Sequence, residues 1–233
     1  MLNNARVISM EEGNVYEYRA IFCKTGRAKY ISHLDLYRTI QRSFKRAGLP
    51  VWHTQGFNPH IYLTFPLPIS LGYEGKEESF DFRLCEELDG AEICRRLCDA
   101  LPEGIIIRQV AAPENKADVI VSGQYTLFLS APGFTGAQLL EKWNDFFAQP
   151  EILAEKRSKK GKKMVHLKPM VGSASAEVAD DQLKLSLVLA AGLAVNLNPT
   201  LLTDAFGQWA GFSPDYHSIC REAVLCEDGK VLR

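Results

Sequence analysis

Along this chain the spacing of apolar residues switches from a period of two to a helical period four times, and that alternation restricts the fold more than any motif does. Val15 to Cys23 alternates and is rich in aromatic and branched residues, which predicts a strand ended by Lys24, Thr25 and Gly26. Ser32 then opens S-H-L-D, a capping-box spacing in which the Ser hydroxyl accepts from the N3 amide and Asp35 reaches back to the cap. Leu36, Ile40, Phe44 and Ala47 recur on one helical face, and Gly48 and Pro50 end the helix. Ile61 to Phe65 and Ser79 to Leu84 read as strands, Gly90 to Leu101 as a helix and Gly104 to Val110 as a strand. The order is β-α-β-β-α-β, the split β-α-β arrangement with both helices on one face of an antiparallel sheet.

The order returns after a linker at Ala111 to Asp118. Val119 to Ser130 reads as a strand, and Gly136 to Ala148 as a helix capped by Thr135. Ile152 to Arg157 and Lys163 to Met170 flank a basic turn, and Leu183, Leu185, Leu187 and Leu189 alternate on a strand. Asn198 caps a helix with Pro199 at its first position, where a missing N–H costs nothing. Arg221 to Cys226 closes the half, in which one further strand or hairpin is expected. The expected class is α+β, with two tandem ferredoxin-like (βαββαβ) domains over residues 1–112 and 118–233, the second carrying an extra basic hairpin. At about 150 residues per domain, 233 residues suit one or two such units.

The formal net charge of −1 conceals an asymmetry. Arg19, Lys24, Arg27, Lys29, Arg38, Arg42, Lys45 and Arg46 face a single acid, Asp35, between Arg19 and His60. Ser70 to Glu103 reverses this, with ten acidic residues against four basic ones. A second basic block holds Lys156, Arg157, Lys159, Lys160, Lys162, Lys163 and Lys168. Two basic blocks attract polyanions, because a partner feels the local potential within about 8 Å and not the net charge. Each block alone has a plainer account as a solvated helix face or hairpin tip.

Several classes of chemistry lack their signatures. There is no phosphate-binding G-x-x-x-x-G-K-[ST], no G-x-G-x-x-G after a strand, no H-E-x-x-H and no G-x-S-x-G. Cys94 and Cys98 share a helix face, but two thiols without a third ligand suit core packing better than a metal. No metal and no cofactor is therefore expected. The six cysteines form no C-x-x-C pair and are expected to be reduced. The first fourteen residues lack a signal peptide's apolar region, and Leu185 to Leu197 is too short to span a bilayer, so a cytoplasmic protein without a membrane partner is expected.

His33, Asp35 and His60 are the catalytic candidates: a histidine suited to act on an RNA 2′-hydroxyl, or an aspartate suited to attack a base, if the two segments converge. A structural account needs less, with Asp35 as capping acid and the histidines as hydrogen-bonding groups. The loop Gly56-Phe57-Asn58-Pro59 suits binding. Gly56 permits unusual backbone angles, Pro59 stiffens the turn, and Phe57 with Trp52 and Tyr62 offers stacking faces for unpaired bases. The RNA-binding candidates are Lys24, Arg27, Lys29, Arg38, Arg42, Arg46, Phe57, Asn58, Lys159, Lys160, Lys162 and Lys163.

The segments KTGRAKYISHLDLYRTIQRSFKRAGLP, QGFNPH and LPISLGYEG together resemble a bacterial family of radical-SAM-linked (radical-SAM-associated) proteins of unknown function. The resemblance is strongest from Tyr18 to Phe82, and KKMVHLKPMV, NLNPTLL and REAVL are similar to the family's second half. It rests on Lys24, Gly26, Ser32, His33, Leu34, Asp35, Arg38, Arg42, Arg46, Gly56, Phe57, Asn58, Pro59 and Gly72. His166 and Lys168 stand where the family usually has an acid and an arginine, which weakens any acid-dependent role there. The resemblance implies a radical S-adenosylmethionine protein as partner and no established reaction. This chain lacks the C-x-x-x-C-x-x-C triplet of such enzymes.

Three readings follow. The leading one is an accessory RNA-binding protein that presents RNA to a radical S-adenosylmethionine enzyme for modification or processing. The second is a stand-alone RNA-processing or RNA-modifying enzyme. The third is a protein-interaction subunit that docks through its acidic or basic face and does not bind RNA.

Overall fold

A computed structural model describes residues 6–10, 13–158, 161–192 and 195–233. The fold is mixed α+β, with mainly antiparallel sheet, and the chain divides into two units.

The first unit holds β1 (Arg6–Met10), β2 (Gly13–Lys24), α1 (His33–Arg46), β3 (Leu63–Thr64), β4 (Glu74–Leu84), α2 (Gly90–Ala100) and β5 (Ile105–Ala111). All its pairings are antiparallel. β5 and β4 flank β2, β3 lies on β4, and β1 pairs the opening of β2. Strand parity then sorts the side chains. Tyr18, Ala20 and Phe22 of β2 stand beside Phe82 and Phe80 of β4 on one face, all fully buried. Leu36, Ile40 and Phe44 of α1 cover that face, and the Phe44 ring lies 4.9 Å from Phe82 and 6.2 Å from Phe80.

The caps follow the sequence with one difference. Ser32 Oγ accepts from the Asp35 amide at 3.2 Å, but the Asp35 carboxylate accepts from the Ser32 hydroxyl at 2.7 Å instead of reaching the cap amide. The aspartate side chain is one methylene shorter than the glutamate that usually closes this box. Asp89 caps α2 by accepting from the Ala91 and Glu92 amides.

The second unit holds β6 (Ile120–Ser130), α3 (Gly136–Ala148), β7 (Leu153–Ser158), β8 (Gly161–His166), β9 (Val171–Ala179), β10 (Gln182–Ala190), α4 (Pro199–Ala210) and β11 (Asp215–Cys226). β11 and β10 flank β6, and β9 closes the edge beside β10, again all antiparallel. The hairpin β7–β8 forms a separate two-stranded sheet. Leu183, Leu185, Leu187 and Leu189 are buried, as are Trp143 of α3 and Phe206 of α4, whose rings meet edge-on at 5.2 Å. Gly211, at φ 81°, ends α4 in the left-handed conformation that glycine enters without a Cβ clash.

Residues 231–233 fold with the first unit, although the sequence reading assigned them to the second. Arg233 explains this: its carbonyl accepts from Arg19 Nη1 at 2.8 Å and from the Glu114 amide at 3.0 Å.

Candidate functional site

Residues 51–64 form an edge hairpin beside β4. Val51 bridges Leu84, His53 bridges Ile61, and the Tyr62 amide donates to the Trp52 carbonyl. Because neighbouring residues on a strand point to opposite sides, the hairpin has two unlike faces. His53 and Ile61 turn toward α1, whereas Trp52 and Tyr62 turn to the other side and pack on Arg83. The turn Gln55 to Pro59 is its exposed tip, and Phe57 there touches almost nothing, with a relative exposure of 106%.

Between the hairpin and α1 lies a cleft of about 390 Å³. Arg38, Gln41, Arg42 and Lys45 line one wall, and His53, Pro59, His60 and Ile61 the other. The helical period puts Arg38, Arg42 and Lys45 on one stripe, where like charges at these spacings destabilise a helix by a few tenths of a kcal/mol per pair. The nearest compensation is Asp35, 3.4 Å from Arg38 in an exposed pair that contributes little. Arg42 and Lys45 have no carboxylate partner among the described residues. His60 is positioned through Nδ1, which lies 3.0 Å from both Thr54 Oγ1 and the Asn58 carbonyl. This arrangement suits an anion: three cations on a rigid helix face two imidazoles held by a stiff turn.

Other residues singled out from the sequence are placed differently. Lys24 is fully buried, because it shares strand parity with Phe22, and its Nζ donates to the Lys29 carbonyl at 3.2 Å. It is therefore no surface phosphate ligand, which corrects the sequence reading. Arg46 is exposed but lies outside the cleft, and its guanidinium donates to the Ala100 carbonyl at 2.6 Å, closing the end of α2. Arg27 is exposed near the end of β2, and the Lys29 ammonium lies 5.3 Å from the Tyr30 ring centroid. His33 does not line the cleft. Its ring meets Phe65 edge-on at 4.9 Å, and partial burial, followed by the nearby Lys24 charge, holds its pKa below the ordinary value.

In the second unit, Lys162 and Lys163 are exposed on β8, with Lys162 2.9 Å from Glu155. Lys163 stands opposite Lys156 in the hairpin register, a like-charge pair that disfavours the ribbon. Lys159 and Lys160 lie outside the described residues. Lys168 donates to the Gln149 carbonyl at the end of α3. The Cys94 and Cys98 thiols both donate to the Ile107 carbonyl, and burial pushes the Cys94 thiol up to about 11, with Cys98 beside it adding to the shift. The raised value makes Cys94 a poor thiolate and suits it to packing.

Part of the acidic stretch is used within the fold. Glu78 is buried, Asp81 pairs with Arg19, and Arg233 meets Glu77. Arg95 and Arg96 hold the Glu92 carboxyl down to about 2. Glu86, Glu87, Asp89, Asp99 and Glu103 remain exposed. No helix among the described residues is long and apolar enough to cross a membrane.

A search of curated proteins finds no match. Among solved structures, the chain is similar to one in the crystal structure of a Cbf5-Nop10-Gar1 complex, with TM-score 0.51 and 11% identity over 88% of this chain. It spans about half of that neighbour, covering 48% of its length, so the likeness concerns fold alone. An unknown protein from Galdieria sulphuraria aligns over 87% of this chain and 97% of its own, at 11% identity and a TM-score of 0.26, too low to inform the fold. Residues 17–199 match the family model described as an uncharacterized protein conserved in bacteria (DUF2344), and with most of its length matched, including the whole cleft, the chain belongs to that family.

Proposed function

We propose that the protein is an accessory RNA-binding protein that presents single-stranded RNA to a radical S-adenosylmethionine enzyme. The observation that carries the RNA reading is the α1 cleft, where Arg38, Arg42 and Lys45 meet His53 and His60 beside the exposed Phe57. Fixed cations hold phosphates, and a bare aromatic ring at a hairpin tip offers a stacking face to an unpaired base. The partner is the one implied by the sequence resemblance. We read each unit as ferredoxin-like, a reading supported by the two strand orders, β5-β2-β4-β3 and β11-β6-β10-β9.

Fluorescence anisotropy with a labelled single-stranded RNA tests this. Arg38→Glu with Arg42→Glu should raise the Kd at least about tenfold, since two favourable phosphate contacts become repulsive. Both side chains are exposed, so folding should be unaffected. Unchanged affinity would overturn the reading.

A further inference from the structure

The other face of the edge hairpin looks onto a second groove, of about 570 Å³, on the side of the first sheet away from α1. Strand register builds its floor. Glu17 and Arg19 of β2 stand directly opposite Arg83 and Asp81 of β4. Both pairs are closed: Arg19 donates to the two Asp81 oxygens at 2.6 and 2.7 Å, and Arg83 donates twice to Glu17 at 3.1 and 3.2 Å. Arg19 gives its remaining donor group to the Asn115 and Arg233 carbonyls, so it is fixed and almost fully buried. The Arg83 guanidinium lies 3.9 Å from the Tyr62 ring centroid and 5.5 Å from that of Trp52. Thr64, opposite Asp81 in register, presents an exposed hydroxyl on the same wall.

This groove differs in kind from the α1 cleft. Its four floor charges cancel in pairs, which leaves the exposed Lys116 as the one uncancelled cation of its lining, against three on the α1 stripe. What it offers is planar and directional: an Arg–Tyr stack, carboxylate oxygens with lone pairs left after pairing with arginine, and a hydroxyl that donates or accepts. A nucleobase presents the complement, a π face for the stack and an edge of donors and acceptors for the oxygens. The two sites share one hairpin, with His53 and Ile61 on the phosphate side and Tyr62 and Thr64 on this one.

We propose that this groove holds one unstacked base of a single-stranded RNA whose backbone lies in the α1 cleft. The inference rests on the RNA-binding reading and adds to it a base-recognition pocket on Tyr62, Thr64, Asp81 and Arg83.

The test compares the full-length protein's affinity for an oligoribonucleotide of about 12 nucleotides with that for an abasic strand of equal length, which keeps every phosphate. Wild type should prefer the intact strand by about fivefold or more, the size of one base–aromatic stack. Tyr62→Ala should cut that preference by about fivefold, leaving what Phe57 contributes and leaving abasic affinity unchanged, and Tyr62→Phe, which keeps the ring, should retain it. Thr64→Gln fills the groove from an exposed position without adding charge, and should act like Tyr62→Ala even if the latter folds poorly. Equal wild-type affinity for both strands overturns the base pocket and leaves the RNA reading standing. Binding of neither strand overturns both. A Thr64→Gln variant with the full preference overturns the groove as its source.

Discussion

His33 occupies the first helical position of α1, where partial burial of its ring and then the nearby Lys24 ammonium favour the neutral imidazole. The folded chain therefore binds this proton less readily than the unfolded chain, which takes it up near the ordinary value of 6.5. Where the unfolded state binds more protons, stability falls as pH falls. The stability linked to His33 is fully present above that ordinary value and is lost as pH falls through the window between it and the lower folded value. His33→Asn removes this linkage. Urea midpoints measured from pH 7 to pH 5 should fall further for wild type than for the variant, and parallel profiles would show that His33 titrates alike in both states. The same lowered pKa leaves the His33 ring mostly neutral near pH 7, so it adds little charge to the basic face of α1.

Helix α2 is set on its sheet by one contact that allows no side chain. A Cβ at Gly90 would lie 2.1 Å from the Val110 carbonyl oxygen of β5, so Gly90→Ala should destabilise the first unit by about 1 to 3 kcal/mol despite alanine's better helix propensity. Chemical denaturation checks the sign, because propensity alone predicts the opposite. The sequence made α2 itself legible through its 3.6-residue period and its Asp89 cap, but not this packing demand, which depends on where β5 comes to lie. Legibility fails in the same way elsewhere. Strand β9, V-G-S-A-S-A-E-V-A, has mostly small residues and no buried position, only four half-buried ones, because it is an edge whose neighbour β10 supplies the leucines. Its turn uses Asp180 and Asp181 at φ 49° and 58°, a two-residue hairpin made without the usual Asn-Gly signal. At the site, the basic stripe of α1 and the GFNP turn were readable separately. Their meeting in one cleft depends on the edge pairing of residues 51–64 with β4, and the burial of Lys24 follows from a parity that charge counting ignores. The second groove was hidden for a related reason, since Glu17 and Arg19 are distant in sequence from Asp81 and Arg83 and become their neighbours only through strand register.

On the proposed reading, a chain with a net charge of −1 must bind RNA through local fields, and the two basic blocks belong to different units, α1 in the first and β7–β8 in the second. Salt dependence separates their contributions. Each phosphate neutralised on a single strand contributes about −0.7 to the slope of log K against log salt, so Arg38, Arg42 and Lys45 together should give about −2. Arg42→Gln with Lys45→Gln should flatten the slope by about 1.4. Lys162→Gln with Lys163→Gln in the hairpin should remove only about 0.7, because Glu155 already meets the Lys162 charge in the free protein. If one strand engages both blocks at once, the four-fold variant should lose the sum of the two changes, as independent sites do. A slope that responds to the α1 pair alone would place every phosphate contact on the first unit and make the Lys-rich hairpin a solvated tip. A slope that responds to neither pair would mean that the strand's phosphates are held elsewhere, and the cleft would then need another anion to explain its uncompensated stripe of charge.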